Sequence, residues 1–322
     1  STVASMSYYC KGIIRAALEK SADTLESLPF RLHDFGARGA SSFESVALGS
    51  LANLVNFSGT DSMTALVAAS RWYGMDKEMS AFSIPAAEHS TMTAWGREGE
   101  TAAYANMIEQ FGGKDKAFSV VSDSYDLWNA IDNIWGDALK EDVKNMGGTL
   151  VIRPDSGEPT KVVREALERL AVRFGTTINS KGYKVLPDYV RIIQGDGISA
   201  QSLGKIIEVV MDAGFSAENI TFGMGGGLLQ QVNRDTMSWA MKASAISING
   251  EWKDIYKDPI TSHSKRSKKG ILALIKQDNG ALKTIKANEL ETNNDNLLRN
   301  VYLDGQLVVE DTLTTIRKRT GW

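Results

Sequence analysis

The sequence is poor in cysteine, with a single residue, Cys10, in 322. One thiol excludes an intrachain disulfide and a zinc site built from cysteines, and it suits a reducing environment. Long apolar runs are also missing, since no segment reaches the roughly 18 apolar residues that a membrane-spanning helix needs. We also expect no secretory signal. The sequence therefore predicts a cytoplasmic protein without a membrane segment.

An excess of charge of either sign is missing as well. The chain has 36 basic and 39 acidic residues, a formal net charge of -3 and a pI near 5.8. Because a nucleic-acid surface needs a strongly positive field, this balance argues against a nucleic-acid partner, and the basic run 265–269 is interpreted as an exposed loop. An anionic ligand must then be met by a local cluster of positive groups, which indicates a small anion in a pocket.

Hydrophobic residues make up 43% of the chain, which is enough for a large core. From about residue 32 to 250, short β-rich runs alternate with amphipathic helical stretches. Polar or glycine-rich residues follow several of these runs, as in a barrel whose site lies at the carboxyl ends of its strands. An open doubly wound sheet is the alternative. The predicted strands are 81–86, 118–122, 149–153, 190–194, 220–223 and 243–248, and the predicted helices include 43–55, 62–73, 125–135, 159–174, 200–213 and 228–239.

The alternation stops after Gly250. Beyond it, the pair Asp304 and Gly305 lies in the middle of an apolar stretch and predicts a hairpin turn. A helix predicted near the N-terminus, from about Tyr8 to Ala22, is expected to pack with this C-terminal region. The predicted organisation is an irregular (β/α) barrel at 31–250 and a smaller flanking α/β layer formed by 1–30 and 251–322.

Four glycines lie between positions 223 and 227, directly before a predicted helix. Backbone N–H groups in such a turn can approach a phosphate closely, although a tight turn without a ligand is an equal alternative. Arg234 and Lys242 follow, and either could serve phosphate groups at this site or across a dimer interface. For each cation alone, a solvated helix face is the favoured interpretation.

Carboxylates follow two of the predicted strands. Arg153 and Asp155 flank Pro154, which ends strand pairing and turns the chain, and a structural ion pair is as good an interpretation as a functional one. Asp196 lies between two glycines and could accept hydrogen bonds from two vicinal hydroxyls, the pair that ribose offers.

His89 lies between a predicted strand and a predicted helix. Its titration range suits contact with phosphates or acceptance of a phosphoryl group, while a capping or core role is the usual alternative for a lone histidine. No second histidine stands at helical spacing from it, so we expect no histidine-ligated metal.

Several segments together resemble the nicotinamide phosphoribosyltransferases, of the type II phosphoribosyltransferase family. The matches follow the family's order from about residue 30 to 270 and are too long to be chance. They comprise 32–36 with Arg38 and Gly39, 54–57 with 59–61, 85–91, 121–126, 152–157, 194–197, 225–230 and 257–259. The resemblance implies an incomplete (β/α) barrel that makes nicotinamide mononucleotide and pyrophosphate from nicotinamide and phosphoribosyl pyrophosphate.

The resemblance also implies roles for individual residues. Phe35 is expected to stack on the pyridine ring, and Asp61 to accept a hydrogen bond from the nicotinamide amide. Arg38 and His89 are expected to contact pyrophosphate, with His89 also phosphorylated from ATP. The groups expected around ribose and the phosphates are Arg153, Asp155, Gly195, Asp196, Gly225, Gly226, Arg234, Lys242 and Lys257.

The implied reaction needs little acid–base chemistry. A neutral pyridine nitrogen displaces pyrophosphate, so positive charge grows on ribose and negative charge on the leaving group. Positioning and neutralisation by Mg²⁺, arginine, lysine and histidine are then sufficient. Asp123 is the candidate carboxylate near the metal or its waters, and a helix cap is the alternative.

Asp61 favours nicotinamide over nicotinate, because a desolvated carboxylate would repel the nicotinate carboxylate. A nicotinate phosphoribosyltransferase and a non-catalytic nucleotide-binding relative are the alternatives. The family's N-terminal portion, which supplies a second ring-stacking aromatic to the neighbouring subunit of a dimer, has no counterpart in this sequence. We therefore expect a homodimer or an assembly with a missing N-terminal piece, and a fragment or a natural short form is the alternative.

Overall fold

A computed structural model describes residues 1–74, 81–233, 235–292 and 295–321. The chain divides into two compact units. The first comprises residues 1–237 and 312–322, and the second comprises residues 238–311.

Parallel strands form the central sheet of the first unit. The strands of this unit are β1 (Leu32–Asp34), β2 (Gly59–Thr60), β3 (Ala117–Val121), β4 (Thr149–Arg153), β5 (Thr177–Ile178), β6 (Lys184–Val185), β7 (Val190–Gln194) and β8 (Ile220–Met224). The sheet has the order β2-β1-β8-β7-β4-β3, whereas β5 and β6 form a separate antiparallel pair.

The segment 82–86 links the two edges of this sheet. Phe82 forms a parallel bridge to Gly59 on β2, and Ala86 forms one to Ser119 on β3. The strands therefore follow chain order around a ring, as they do in a (β/α) barrel. Because the linking segment pairs at only these two positions, the barrel is irregular, which confirms the predicted fold class.

Helices pack against the sheet through apolar stripes. In the helix that follows β4, Val163, Leu167 and Leu170 are buried at the spacing of one helical face. The helices of the first unit are α1 (Thr2–Ser21), α2 (Phe43–Asn53), α3 (Met63–Tyr73), α4 (His89–Thr93), α5 (Glu100–Phe111), α6 (Leu127–Asn129, continued by a π-helix, Ala130–Ala138), α7 (Lys140–Asn145), α8 (Pro159–Phe174), α9 (Ala200–Asp212), α10 (Gly226–Leu229) and α11 (Leu313–Arg319). None of the helices in the described part of the chain is both long and apolar enough to cross a lipid bilayer.

The N-terminal helix belongs to the barrel unit. Cys10, Ile14 and Leu18 of α1 are buried at four-residue spacing in the same core cluster as Leu32 of β1. The expected grouping of residues 1–30 with the C-terminal layer therefore differs from the structure, because this apolar stripe is buried against the barrel. The C-terminal helix α11 also returns to the first unit, where Leu313 is buried.

The second unit consists of antiparallel hairpins. Its strands are β9 (Ala245–Ile248), β10 (Glu251–Asp254), β11 (Leu272–Lys276), β12 (Leu282–Lys286), β13 (Tyr302–Leu303) and β14 (Gln306–Leu307). Between β13 and β14, Asp304 and Gly305 have φ values of 50° and 83°, which confirms the predicted hairpin turn.

Two predictions near the end of the barrel differ from the structure. The strand predicted at 243–248 does form, as β9, but it belongs to the second unit and not to the barrel, because a turn at Asn249 and Gly250, with φ values of 52° and 86°, pairs it locally with β10. The helix predicted at 228–239 ends at Leu229. Farther along, the Asn233 side chain accepts the N–H groups of residues 235 and 236, at 2.8 and 3.1 Å, and this local turn competes with helix formation.

Candidate active site

A cavity of about 780 Å³ lies where the carboxyl ends of the barrel strands meet. The loops that follow β1, β2, β4, β7 and β8 all contribute to its lining. The predicted site residues that line it are Phe35, Arg38, Asp61, Arg153, Asp155, Gly195, Asp196, Gly225 and Gly226. Residues from distant parts of the chain thus share one cavity, as the sequence predicts.

The ring of Phe35 packs directly on the backbone of neighbouring strand ends. A Cβ atom added at Gly223 would lie 2.0 Å from Phe35 Cε2, and one at Gly195 would lie 3.0 Å from the same atom. The guanidinium carbon of Arg153 is 5.6 Å from the ring centroid. Glycine at position 223 therefore allows an approach that any side chain would prevent, and it fixes the ring in the cavity wall.

A series of contacts between titratable side chains connects the cavity to His89. Arg153 Nη2 donates to Asp155 Oδ1 at 2.6 Å, and the other oxygen of Asp155 is 3.9 Å from His89 Nδ1. His89 Nε2 lies 3.1 Å from Asp123 Oδ1. His89 itself does not line the cavity; its side chain is 40% exposed and lies behind Asp155.

Asp123 is almost buried, with a side-chain exposure of 4%. Its Oδ2 atom accepts the N–H of Asp155 at 3.0 Å and the hydroxyl of Ser156 at 2.5 Å, while Oδ1 faces His89. The alternative of Asp123 as a helix cap is wrong, because the side chain of Asp126 caps the helix that follows. Asp123 therefore holds the histidine and the 155–156 loop together.

The contact with Asp123 selects the tautomer of His89 when the imidazole is neutral. A carboxylate oxygen accepts a hydrogen bond, so Nε2 then carries the hydrogen and Nδ1 the lone pair. Nδ1 is the ring nitrogen on the side of Asp155, 3.9 Å from its Oδ2 atom. In chemical terms, Nδ1 is the nucleophilic atom of this imidazole.

Near Asp61, the cavity wall contains polar groups that the sequence analysis missed. Ser83 donates to Asp61 Oδ1 at 2.6 Å, and His33 and Ser119 also line the cavity. Burial lowers the pKa of His33, so its imidazole is neutral at pH 7. Side chains alternate between the two faces of a strand, so His33 lies on the same face as Phe35. This spacing could have identified His33 from the sequence.

The glycine turn after β8 is held against the loop after β1. Gln230 Nε2 donates to the carbonyl oxygen of Gly36 at 2.5 Å, and both Gln230 and Gly226 line the cavity. The predicted phosphate cradle is therefore next to the aromatic plate.

Three predicted phosphate contacts are not among the described residues of the first unit. Lys242 and Lys257 belong to the second unit, and Arg234 lies outside the described residues. Within the described residues, no group of three or more histidine, cysteine, aspartate or glutamate side chains could hold a metal ion. The roles of these cations, and of Asp123 near a metal, stay predictions.

A cavity at the carboxyl ends of barrel strands is the usual place for the active site of an enzyme, and sequence comparison specifies the family. The family model of the nicotinate phosphoribosyltransferase (NAPRTase) family matches residues 30–306, so the chain belongs to this family.

Individual relatives are similar in sequence over most of this chain. The chain is 49% identical over 321 residues to a nicotinamide phosphoribosyltransferase of Xanthomonas campestris pv. campestris, a match that covers 98% of this chain and 68% of the relative. It is 36% identical over 279 residues to a nicotinamide phosphoribosyltransferase of Mycoplasma pneumoniae, covering 83% of this chain and 58% of that relative. A solved structure of nicotinate phosphoribosyltransferase from Porphyromonas gingivalis has 15% identity and a TM-score of 0.47, over 72% of this chain and 51% of that one.

The substitution Gly223→Ala tests the close packing of Phe35. We expect it to lower the free energy of unfolding by about 1–3 kcal/mol, the usual cost of overpacking, because the new methyl group must displace the ring. Urea denaturation would measure the change. The control is Gly204→Ala in α9, where the nearest atom to an added Cβ is 3.9 Å away and stability should rise or stay constant. Equal stability of Gly223→Ala and the wild type would contradict the packing.

Proposed function

We propose that this chain carries the phosphoribosyl-transfer site of a nicotinamide phosphoribosyltransferase, acting in NAD salvage. The reaction joins nicotinamide to phosphoribosyl pyrophosphate and releases nicotinamide mononucleotide and pyrophosphate. One observation carries this proposal: an aromatic plate, a carboxylate acceptor, an ion pair and a glycine turn line the same cavity. The match of the Xanthomonas relative over 98% of the chain supports the same assignment.

Nicotinamide would occupy the end of the cavity between Phe35 and Asp61. The pyridine ring stacks on Phe35, and the amide N–H donates to Asp61, whose Oδ1 atom already accepts a hydrogen bond from Ser83. Arg153 lies beside the same ring. Its planar guanidinium can donate to the amide carbonyl, which would orient the ring nitrogen toward the sugar.

Phosphoribosyl pyrophosphate would fill the remainder of the cavity. The exposed carboxylate of Asp196 accepts the two ribose hydroxyls, with Gly195 allowing close approach, and the turn at Gly225 and Gly226 receives the 5′-phosphate. Arg38 neutralises the pyrophosphate. The further phosphate contacts proposed are Arg234, Lys242 and Lys257.

The chemical step is a substitution at the anomeric carbon. A bond forms between the pyridine nitrogen and C1 of ribose while the bond from C1 to the pyrophosphate oxygen breaks, and the electron pair leaves with pyrophosphate. No proton has to move, so the protein contributes alignment and charge. Asp155 and Asp196 place negative charge near the sugar, and Arg38 places positive charge near the leaving group.

Mg²⁺, when bound, neutralises the leaving pyrophosphate. The carboxylates near the cavity do not fit a protein cage for it, because both oxygens of Asp123 are hydrogen-bonded and Asp155 is paired with Arg153. A magnesium ion held mainly by substrate phosphates and water suits this donor set. We therefore assign Asp123 to the orientation of His89 in place of the predicted metal contact.

ATP would act as a second substrate through His89. The Nδ1 lone pair attacks the γ-phosphorus, an N–P bond forms, the P–O bond to ADP breaks, and the Nε2 proton stays on its hydrogen bond to Asp123. A phosphoryl group on His89 adds negative charge beside Asp155. That charge would draw Mg²⁺ and the pyrophosphate end of the substrate into place.

The assembly of the protein and its location in the cell also remain proposals. A homodimer, or an assembly with an N-terminal piece, would supply a second aromatic ring opposite Phe35. The cytoplasmic location expected from the single cysteine stays a prediction.

Pyrophosphate release from phosphoribosyl pyrophosphate tests the proposed reaction, with nicotinamide and nicotinate in parallel. We expect release with nicotinamide and at least about tenfold lower kcat/KM with nicotinate, because the nicotinate carboxylate faces Asp61. Asp61→Asn should remove most of this preference. The control is Asp188→Asn, which changes a fully exposed aspartate.

Three outcomes would contradict this assignment. Equal efficiency with both substrates, unaltered by Asp61→Asn, would favour a nicotinate or dual-specificity enzyme. Binding of nicotinamide mononucleotide without any pyrophosphate release would favour a non-catalytic relative. Neither binding nor turnover in the intact assembly would exclude both.

Incubation with ATP labelled at the γ-phosphate tests the proposed role of His89. We expect an acid-labile phosphoryl label that His89→Ala abolishes and Asp123→Asn lowers about tenfold, because the amide of asparagine turns a donor toward the N–H of Asp155. His263→Ala, which removes an exposed histidine of the second unit, is the control and should leave the label intact. A label that survives His89→Ala would exclude this histidine as the acceptor.

A further inference from the structure

Asp34, the last residue of β1, is a buried carboxylate with three hydrogen-bond donors. Its Oδ1 atom accepts the N–H of Gly36 at 2.8 Å. Its Oδ2 atom accepts the hydroxyls of Thr60 and Ser62, at 2.9 and 3.0 Å. We refer to Asp34 with these three donors as the Asp34 junction.

The junction joins two loops that line the cavity. Gly36 directly follows Phe35, whereas Thr60 and Ser62 stand on either side of Asp61. The carbonyl oxygen of Asp34 also accepts the N–H of Asp61 at 3.1 Å. Asp34 itself does not line the cavity, whereas its partner Ser62 does, so any effect of Asp34 on a ligand must pass through Phe35, Asp61 or Ser62.

Ser62 indicates that the junction is more than ordinary packing. It is the N-cap residue of α3 with extended backbone angles, the position where a serine side chain ordinarily accepts an N–H of the first helical turn. Its side chain makes no such cap, and its hydroxyl donates to Asp34. The helix thus forgoes a stabilising contact in favour of the junction.

We propose that Asp34 is a positioning residue that sets the separation between the stacking plate, Phe35, and the amide acceptor, Asp61. This inference rests on the proposed function. A ring that is stacked and hydrogen-bonded at once needs both partners at a fixed distance and angle. A single buried carboxylate that bonds to both loops holds that distance.

An asparagine at position 34 would change the chemistry of the junction. The N–H of Gly36 cannot accept a hydrogen bond, so the amide NH₂ of an asparagine must face Thr60 and Ser62. Both hydroxyls must then accept where they now donate, and Thr60 Oγ1, which already accepts the N–H of Ser62 at 3.0 Å, must use its second lone pair. The hydrogen bonds to a charged group are replaced by weaker neutral ones, so the loop that carries Asp61 is held less firmly. The asparagine oxygen keeps the hydrogen bond to Gly36, whose carbonyl oxygen accepts from Gln230 of the glycine turn, so the phosphate side of the cavity should be preserved.

The test is steady-state kinetics of the full chain, in whatever assembly it forms, for Asp34→Asn, Thr60→Val and Ser62→Ala. For Asp34→Asn we expect the KM for nicotinamide to rise about tenfold or more, as for the loss of hydrogen bonds to a charged group. The KM for phosphoribosyl pyrophosphate should stay within about twofold of the wild-type value. Thr60→Val and Ser62→Ala should also raise the KM for nicotinamide and leave the KM for phosphoribosyl pyrophosphate unchanged. The rise should be roughly a third as large, since each variant removes one of three donors.

Ser42→Ala is the matched control for Ser62→Ala. Ser42 is the N-cap of α2 and does accept an N–H from the first turn, that of Ser45 at 3.1 Å. Ser42→Ala should therefore lower stability without changing the KM for nicotinamide, and Ser62→Ala should change that KM with less effect on helix stability. The opposite pattern would assign Ser62 an ordinary capping role.

Equal rises of both KM values, or a nicotinamide KM within about twofold of wild type in a folded Asp34→Asn variant, would overturn the positioning role. If Asp34→Asn does not fold, the same criteria apply to Thr60→Val and Ser62→Ala. The wild-type protein in the same assay reports separately on the proposed function. If the wild type binds nicotinamide without turnover, calorimetry measures the affinity of the variants for nicotinamide. An affinity equal to that of the wild type then overturns the positioning role of Asp34. A wild type that neither binds nor turns over nicotinamide overturns both proposals.

Discussion

The parallel alignment of the barrel strands is the constraint on which the site depends. Parallel strands all end at one rim, so whatever residue follows each strand is delivered to the same place. Phe35, Asp61, Arg153 and Asp196 are far apart in sequence, but each comes within a few residues of a strand end. The cavity is therefore a direct result of pairing β1, β2, β4, β7 and β8 in register around a ring.

The strands of this ring that could be predicted from the sequence are those with a run of buried apolar residues. Strands β3, β4, β7 and β8 are five-residue runs with buried apolar residues, and their predicted bounds agree with the structure to within a residue. Strands β1 and β2 have three and two residues, with His33, Asp34, Gly59 and Thr60 among them, and carry no apolar pattern. Their pairing with β8 and with each other is a tertiary effect that local sequence does not encode.

The same distinction applies to the site. Residues at or just after the ends of long strands, such as Arg153 and Asp196, could be placed from the strand pattern alone. The residues that support the other side of the cavity could not. Asp34 and Ser83 are ordinary polar residues in sequence, and only the folded barrel brings the first to Ser62 and the second to Asp61. The sequence could also not show that one oxygen of Asp123 accepts hydrogen bonds from the 155–156 loop and that the other faces His89.

The two ends of the cavity are supported in physically different ways. At the Phe35 end, a buried carboxylate and close packing on glycine backbone fix the positions of groups, and the hydrogen bonds of Asp34 are buried away from water. At the His89 end, the partners are charged and partly exposed, so their interaction is screened and depends on the state of the histidine. A rigid end suits recognition of a flat neutral ring, whose stacking tolerates little displacement. A responsive end suits the proposed leaving group of high charge, whose binding must weaken after the bond to ribose breaks, and a charge added at His89 would act on that end through Asp155.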